Sequence, residues 1–292
     1  MAERNFMEML KQKWQEGKFV CVGLDSDYDK IPQSIKDFYN EPYGIMGFNE
    51  EIVDATKDIV CAYKPNIAFY EAQGPDGIDA LWDTISDIIQ KAPDVPIILD
   101  AKRADIGNTN MGYIESAFDY LRADAITINP YFGMEAVQPF LDMANKGIFV
   151  LCRTSNPGAG EFQDKLVQYK KGNTDILSPL YQFVADNVCL SWNKNKNCGL
   201  VVGATQPYEM KTVRDLVGDM PILVPGVGAQ GGDVEKIVRA GLNGLGTGII
   251  VNSSRGIIFA SNGEDFAEVA RQKTLELHNE ITRVISEMEK EG

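Results

Sequence analysis

In the stretch PIILDAKRADIGNT, residues 96–109, Asp100, Lys102 and Asp105 place two carboxylates and an ammonium where a short apolar run ends. Charged side chains are rarely buried unless they are paired, so such a cluster is either a structural ion pair or a reactive site. An ammonium held beside carboxylates can stabilise developing negative charge and then release a proton to it. On a strand, residues two apart share a face, which sends Asp100 and Lys102 into the same space. Asp105 lies an odd number of positions further, past the strand end, so it must return through a turn or serve a neighbouring chain.

Two more charges join them. Asp25 ends the run FVCVGLD and Lys64 lies at the end of VCAYKPN, so four charges of alternating sign sit on three strand ends. A layer of salt bridges is the bland explanation, but desolvating four charges has a cost that Coulomb attraction often fails to recover. Function is the better explanation of that expense. The single histidine, His278, is far along the chain, and no HxH, HExxH or cysteine cluster is present. Lysine and carboxylate chemistry remains, and the site reads as metal-free, because Mg²⁺ at these carboxylates would meet two ammonium groups.

A second constellation is rich in glycine. PGVGAQGGD (225–233) and GLGTGIIVNSSRG (244–256) follow the last two strands in this reading, where barrel enzymes often grip a phosphate with backbone N–H groups; tight turns at the barrel top are the bland explanation and phosphate the better one. Gln230 offers a side-chain donor there and Arg255 a bidentate guanidinium.

The elements that must position these residues follow a repeated pattern. Eight short apolar runs, 19–25, 60–66, 96–102, 125–130, 147–155, 198–205, 221–228 and 241–250, alternate with segments of helical periodicity such as 80–91, 113–121, 179–190, 207–217 and 233–240. A doubly wound sheet usually has fewer strands; the pattern predicts a (β/α)8 TIM barrel, one domain over 1–292, with its reactive face at the strand C-termini. Phe6, Met9, Leu10 and Trp14 predict a preceding amphipathic helix over 3–16 that packs on the outside of the core. A long amphipathic helix is expected over 263–292. Two connections are long: 26–59, with a helix-like stretch after an Asp/Pro-rich turn, and 155–178, whose Gly, Asn and charge suit either a mobile flap over the site or a plain surface insertion.

Composition narrows the partners. With 28 Lys+Arg against 42 Asp+Glu, the formal net charge of −14 repels a polyanion, so no nucleic-acid partner is expected. The five cysteines are odd in number, lack a CxxC pair and fall mostly in apolar runs, as reduced thiols of a cytoplasmic protein do. No signal peptide or membrane-spanning run is read, so no membrane partner is expected.

The motifs together resemble the orotidine 5'-phosphate decarboxylase family. GLD at 23–25, AYKPNIAFYE at 62–71, DAKRADIGNT at 100–109, TINPYFG at 127–133, RTSN at 153–156, PGVGAQGGD at 225–233 and Arg255 in NSSRG occur in the family's order, as in its longer bacterial and protozoan branch. The resemblance implies cofactor-free conversion of orotidine 5'-monophosphate to uridine 5'-monophosphate and CO₂. It implies that Lys102 protonates C6 of the pyrimidine, that Asp100 faces the substrate carboxylate, and that Asp25 and Lys64 bind ribose hydroxyls and order the array. Asp105 and Thr109 would reach into the site of a homodimer partner. Ser155 would contact the pyrimidine, Gln230 and Arg255 the phosphate, and Asn66 and Pro225 complete the substrate-binding set. Two other readings compete: a Mg²⁺-dependent sugar-phosphate barrel lyase with a similar DxKxxD strand, and a catalytically silent nucleotide-binding barrel.

Overall fold

A computed structural model describes residues 4–41, 43–227 and 233–291. The apolar runs form parallel strands β1 (Val20–Leu24), β2 (Ala62–Pro65), β3 (Ile98–Arg103), β4 (Ala125–Ile128) and β5 (Gly147–Arg153). A hairpin of β6 (Leu166–Lys171) and β7 (Thr174–Pro179) intervenes before β8 (Cys198–Val202), β9 (Ile222–Pro225) and β10 (Ile249–Ser253). Eight of these make one sheet in the order β2-β1-β10-β9-β8-β5-β4-β3. Its two edges meet: Tyr63 pairs with Ile97 and Asn66 with Asp100 as parallel bridges, so the sheet closes into the expected barrel.

The helices are α1 (Phe6–Gln15), α2 (Gln33–Lys36), α3 (Tyr43–Thr56), α4 (Ile67–Glu71), α5 (Gly74–Lys91), α6 (Gly107–Ile114), α7 (Gly133–Leu141), α8 (Leu180–Asn187), α9 (Pro207–Val217), α10 (Val234–Gly241), α11 (Arg255–Ile258) and α12 (Phe266–Glu291). Burial follows sequence period. In α3 the buried Ile45, Phe48, Asn49, Ile52, Val53 and Thr56 recur at the spacing of one helix face, and Phe48 stacks between Phe259 and Phe266. The expected C-terminal helix is α12, which buries Phe266, Leu277 and Ile281. None of the described helices is long and apolar enough to cross a membrane.

Helix α1 departs from its expected place. Its apolar stripe turns inward at the strand N-termini: Phe6 meets Phe149 edge-on at 5.5 Å, and the Trp14 indole N–H donates to the Ile249 carbonyl at 2.9 Å. A Cβ at Gly147 would lie 2.4 Å from the Phe6 ring, so only glycine lets the helix seat this closely. The helix therefore closes the bottom of the barrel; amphipathic spacing shows that a face is buried, not against what.

The last strand also differs from the sequence reading. Residues 242–248 are a turn, in which the Asn243 side chain accepts from the N–H groups of Leu245 and Thr247 and Gly246 and Gly248 take positive φ. The strand is the following IIVNS. Gly244, Gly246 and Gly248 thus lie before β10, at the bottom of the barrel, and cannot grip a ligand at its mouth.

The long connection 155–178 folds as a 3₁₀ turn at Pro157–Glu161 followed by the β6–β7 hairpin. Its base is fixed to β5, where the Gln163 amide accepts from the Thr154 N–H at 2.9 Å and donates to the Thr154 hydroxyl at 2.9 Å. Its far end is tied to α8 by Asp186, which accepts from Tyr169 at 2.5 Å and pairs with Lys171 at 2.7 Å.

The bottom closure is testable. Phe6→Ala is expected to destabilise the fold by about 3–5 kcal/mol, the cost of emptying a buried aromatic site, read as a lowered urea midpoint.

Candidate active site

At the C-terminal mouth the four charges form a chain. Lys64, next to last in β2, sits beside Gly23 of β1, and its Nζ lies 3.7 Å from Asp25 Oδ1 and donates to Asp100 Oδ2 at 2.9 Å. The Lys102 ammonium donates to the other oxygen, Asp100 Oδ1, at 2.6 Å. Depth separates the two cations: the Lys64 side chain is 3% exposed, whereas that of Lys102 is 49% exposed. Lys64 is the deeper cation of the two and Lys102 the more open to a ligand.

The protonation states follow. Burial alone would raise the Asp100 carboxyl, but the charges of Lys64 and Lys102 and their hydrogen bonds hold it well below the usual carboxylate range. Burial would likewise lower Lys64, and the carboxylates of Asp100 and Asp25 outweigh it and raise the ammonium above its ordinary value. The pair is therefore ionised through the neutral range. Cys21, buried in β1, has its thiol pushed up to about 12 by burial and is no nucleophile.

Lys102 reaches Asp100 by a route that strand parity does not give. Its φ is +50, in the left-handed region, and the β3–β4 register breaks between Leu99 and Arg103. The bulge, not regular alternation, turns the two side chains together. Asp105 lies beyond it, outside the chain: its carboxylate accepts from the Ile106 N–H at 2.7 Å, and it makes no ion pair among the described residues. The buried Asn110 side chain accepts from the Asp105 N–H at 2.8 Å and fixes the turn. Thr109 is exposed on α6, near the exposed Ile106 and Met111.

The remaining expected site residues also lie at strand ends. Asn66 follows β2 and caps α4, its side chain accepting from the Ala68 N–H at 3.3 Å. Ser155 follows β5 and packs against Gly203, where a Cβ would come within 2.6 Å of its own. Pro225 ends β9, its carbonyl accepting from the Ala204 N–H at 2.9 Å. Arg255 opens α11 after β10, exposed and without an ion pair among the described residues. Gln230 lies outside the described residues. His278 is on α12, away from the mouth as expected.

Three polar residues of the mouth were not singled out from the sequence. Thr127 of β4, 1% exposed, donates to Asp100 Oδ1 at 2.9 Å. Asn252 and Ser254 crowd Gly23, and Asn252 Oδ1 and Ser254 Oγ are buried without a partner among the described residues. A lone hydroxyl in the apolar run AITI and an Asn in IIVNS were the available signals.

The barrel and its ionised mouth define a (β/α)8-barrel enzyme. A family model described as orotidine 5'-phosphate decarboxylase / HUMPS family matches residues 18–270. An orotidine 5'-phosphate decarboxylase of Cellvibrio japonicus is 47% identical over 278 residues, covering 95% of this chain and 98% of its own. The Leishmania donovani OMP decarboxylase structure superposes with a TM-score of 0.80 at 33% identity, covering 96% of this chain and 98% of that one. The Leishmania donovani UMP synthase structure gives 0.83 at 34% identity, with 97% of this chain matching 57% of that one. The chain belongs to the orotidine 5'-phosphate decarboxylase / HUMPS family.

The Lys64 pairing carries a pH signature. Asp100 is held below its ordinary value, so its contribution is complete above about pH 4 and is lost as pH falls through its folded value. Lys64 is raised, so its contribution is complete below about pH 10 and is lost only as pH rises through its folded value. Lys64→Ala should therefore cost about 3–5 kcal/mol at any pH from about 5 to 9, and less below about pH 4, measured by chemical denaturation across that series.

Proposed function

We propose that the protein decarboxylates orotidine 5'-monophosphate to uridine 5'-monophosphate, a step of pyrimidine biosynthesis, without a cofactor and in the cytoplasm. The observation that carries this reading is the unbroken chain Asp25–Lys64–Asp100–Lys102, with Lys102 its most exposed member. The 47% identical Cellvibrio japonicus decarboxylase supports the choice of substrate. The five cysteines are free thiols, in keeping with a reducing compartment. All 292 residues serve as one barrel domain in this reading.

The chemistry follows from the charges. Breaking the C6–carboxylate bond releases CO₂ and leaves its electron pair on C6, where the ring offers no obvious sink. The Lys102 ammonium lies beside that pair and then transfers a proton to it; solvent reprotonates the exposed amine. Asp100, kept ionised by Lys64, orients Lys102 and faces the departing carboxylate. A charge pair at 4 Å with an effective dielectric near 20 is worth roughly 4 kcal/mol. An enzyme commonly supplies ~8–23 kcal/mol, so Lys102 alone is insufficient. The remainder comes from binding the unreactive parts of the nucleotide: Arg255 and Gln230 on the phosphate, Asp25 and Lys64 on the ribose, Ser155 on the pyrimidine, with Asn66 and Pro225 shaping the pocket.

Asp105 and Thr109 complete the site of a second copy in a homodimer. Their exclusion from the charge chain and the exposed Ile106 and Met111 beside them support that assignment. The sugar-phosphate lyase alternative wants a carboxylate at the end of β2 to hold Mg²⁺, and Lys64 stands there.

Purified protein should discharge the absorbance of orotidine monophosphate equally with and without EDTA, and Lys102→Ala should abolish turnover while uridine monophosphate still binds. Near wild-type turnover by that variant would sink the assignment of Lys102. Mixing the inactive Lys102→Ala and Asp105→Ala proteins should restore about a quarter of wild-type activity, since random exchange makes half of the dimers mixed and each mixed dimer holds one intact site.

A further inference from the structure

We infer that Thr127 is a positioning residue of the decarboxylation, a role that rests on the decarboxylase reading and deepens it. Its hydroxyl sits where the β3–β4 ladder is interrupted, between the Leu99↔Ile126 and Arg103↔Ile128 pairs. There it accepts from the N–H of Ala101 at 3.0 Å and from the N–H of Lys102 at 2.9 Å. A threonine hydroxyl has two lone pairs and one proton. Both lone pairs are thus engaged by donors, and among the described residues the proton has one acceptor, Asp100 Oδ1 at 2.9 Å.

This saturated hydroxyl holds Lys102 from two directions. It secures the N–H of a non-glycine residue in the left-handed region, a conformation that persists only where its surroundings over-determine it. It also fixes the carboxylate oxygen that receives the Lys102 ammonium at 2.6 Å, leaving the other oxygen turned towards Lys64. The oxygen of Thr127 therefore registers the backbone of the proton donor against the carboxylate that aims it. With 1% exposure and its full hydrogen-bonding capacity spent within the protein, Thr127 has no group left for substrate. Its loss should misplace Lys102 in the reacting complex while leaving the phosphate and ribose contacts intact.

The test compares wild type, Thr127→Val and Thr127→Ser on orotidine monophosphate, with kcat and KM resolved and folded protein quantified by thermal melting. Val keeps the shape and removes the hydroxyl; Ser restores the hydroxyl. Val should lower kcat about 100-fold with KM changed less than about threefold, whereas Ser should keep kcat within about fivefold of wild type. A folded Val variant with kcat within about threefold of wild type would overturn the inference, and so would a Ser variant as impaired as Val. Should Val fail to fold, Thr127→Cys, which retains a weak donor and acceptor, should lose about tenfold in kcat; an undiminished kcat there overturns the inference equally. A wild-type protein without turnover would instead overturn the decarboxylase reading beneath it.

Discussion

The mouth of this barrel depends on one buried ammonium. Lys64 is almost wholly removed from water and stays charged because Asp100 and Asp25 lie within 2.9 and 3.7 Å of it. Removing a cation of this size from water costs several kcal/mol even after relaxation, so neither carboxylate is dispensable to it. The pair also crosses the weakest line in the sheet. Between β2 and β3 the ladder is reduced to the Tyr63↔Ile97 and Asn66↔Asp100 bridges, and it is there that Lys64 reaches over to Asp100. Electrostatics and barrel closure are the same contact at this point.

Around that contact, polar groups buried in pairs hold the strand ends still. The Asn49 amide accepts from Ser26 at 2.6 Å and donates to Tyr70 at 2.9 Å and Thr84 at 3.1 Å, joining α3, α4 and α5 to the segment just after β1. Tyr70 donates in turn to the Leu24 carbonyl at 3.3 Å, one residue before Asp25. A fully satisfied buried network of this kind rigidifies, because each member stripped of its partner would be left desolvated. The left-handed turn at Lys102 is the local strain that such support permits.

The charge chain was legible in the sequence because residue type and position at the end of an apolar run are enough to place Asp25, Lys64, Asp100 and Lys102 on one rim. The path by which Lys102 turns to Asp100 was not, since a bulge is set by the neighbouring strand and leaves no mark in strand parity. The same limit hid Thr127, whose hydroxyl gains meaning only once β4 lies beside the bulge. The run 241–250 resembles a strand throughout in its glycines and aliphatic residues; the Asn243 cap that makes 242–248 a turn acts through side-chain geometry. For α1 the apolar period was plain, but its docking under the barrel was set by the missing side chain of Gly147, on another element.

The two ends of the barrel carry opposite burdens. At the bottom, apolar contacts dominate and charges are spent on the backbone: the buried Arg214 guanidinium donates to the carbonyls of Gly241, Met220 and Gly248 at 2.7–2.8 Å, tying α9 to the turns before β9 and β10. Arg4 does the same for the approaches to β3 and β4, donating to the Val95 carbonyl at 3.0 Å and pairing with Asp124 at 2.6 Å. At the top, charges face one another across a mouth with a left-handed lysine and with buried oxygens of Asp25, Asn252 and Ser254 that make no hydrogen bond among the described residues. Groups left incomplete in this way weaken a fold when no ligand meets them. The strands connect the two ends, so the closed bottom can offset the strain of the mouth without sharing its geometry. That division lets the chemistry of the upper loops vary while the register of β1, β2 and β3, which holds Lys64 between its carboxylates, stays fixed.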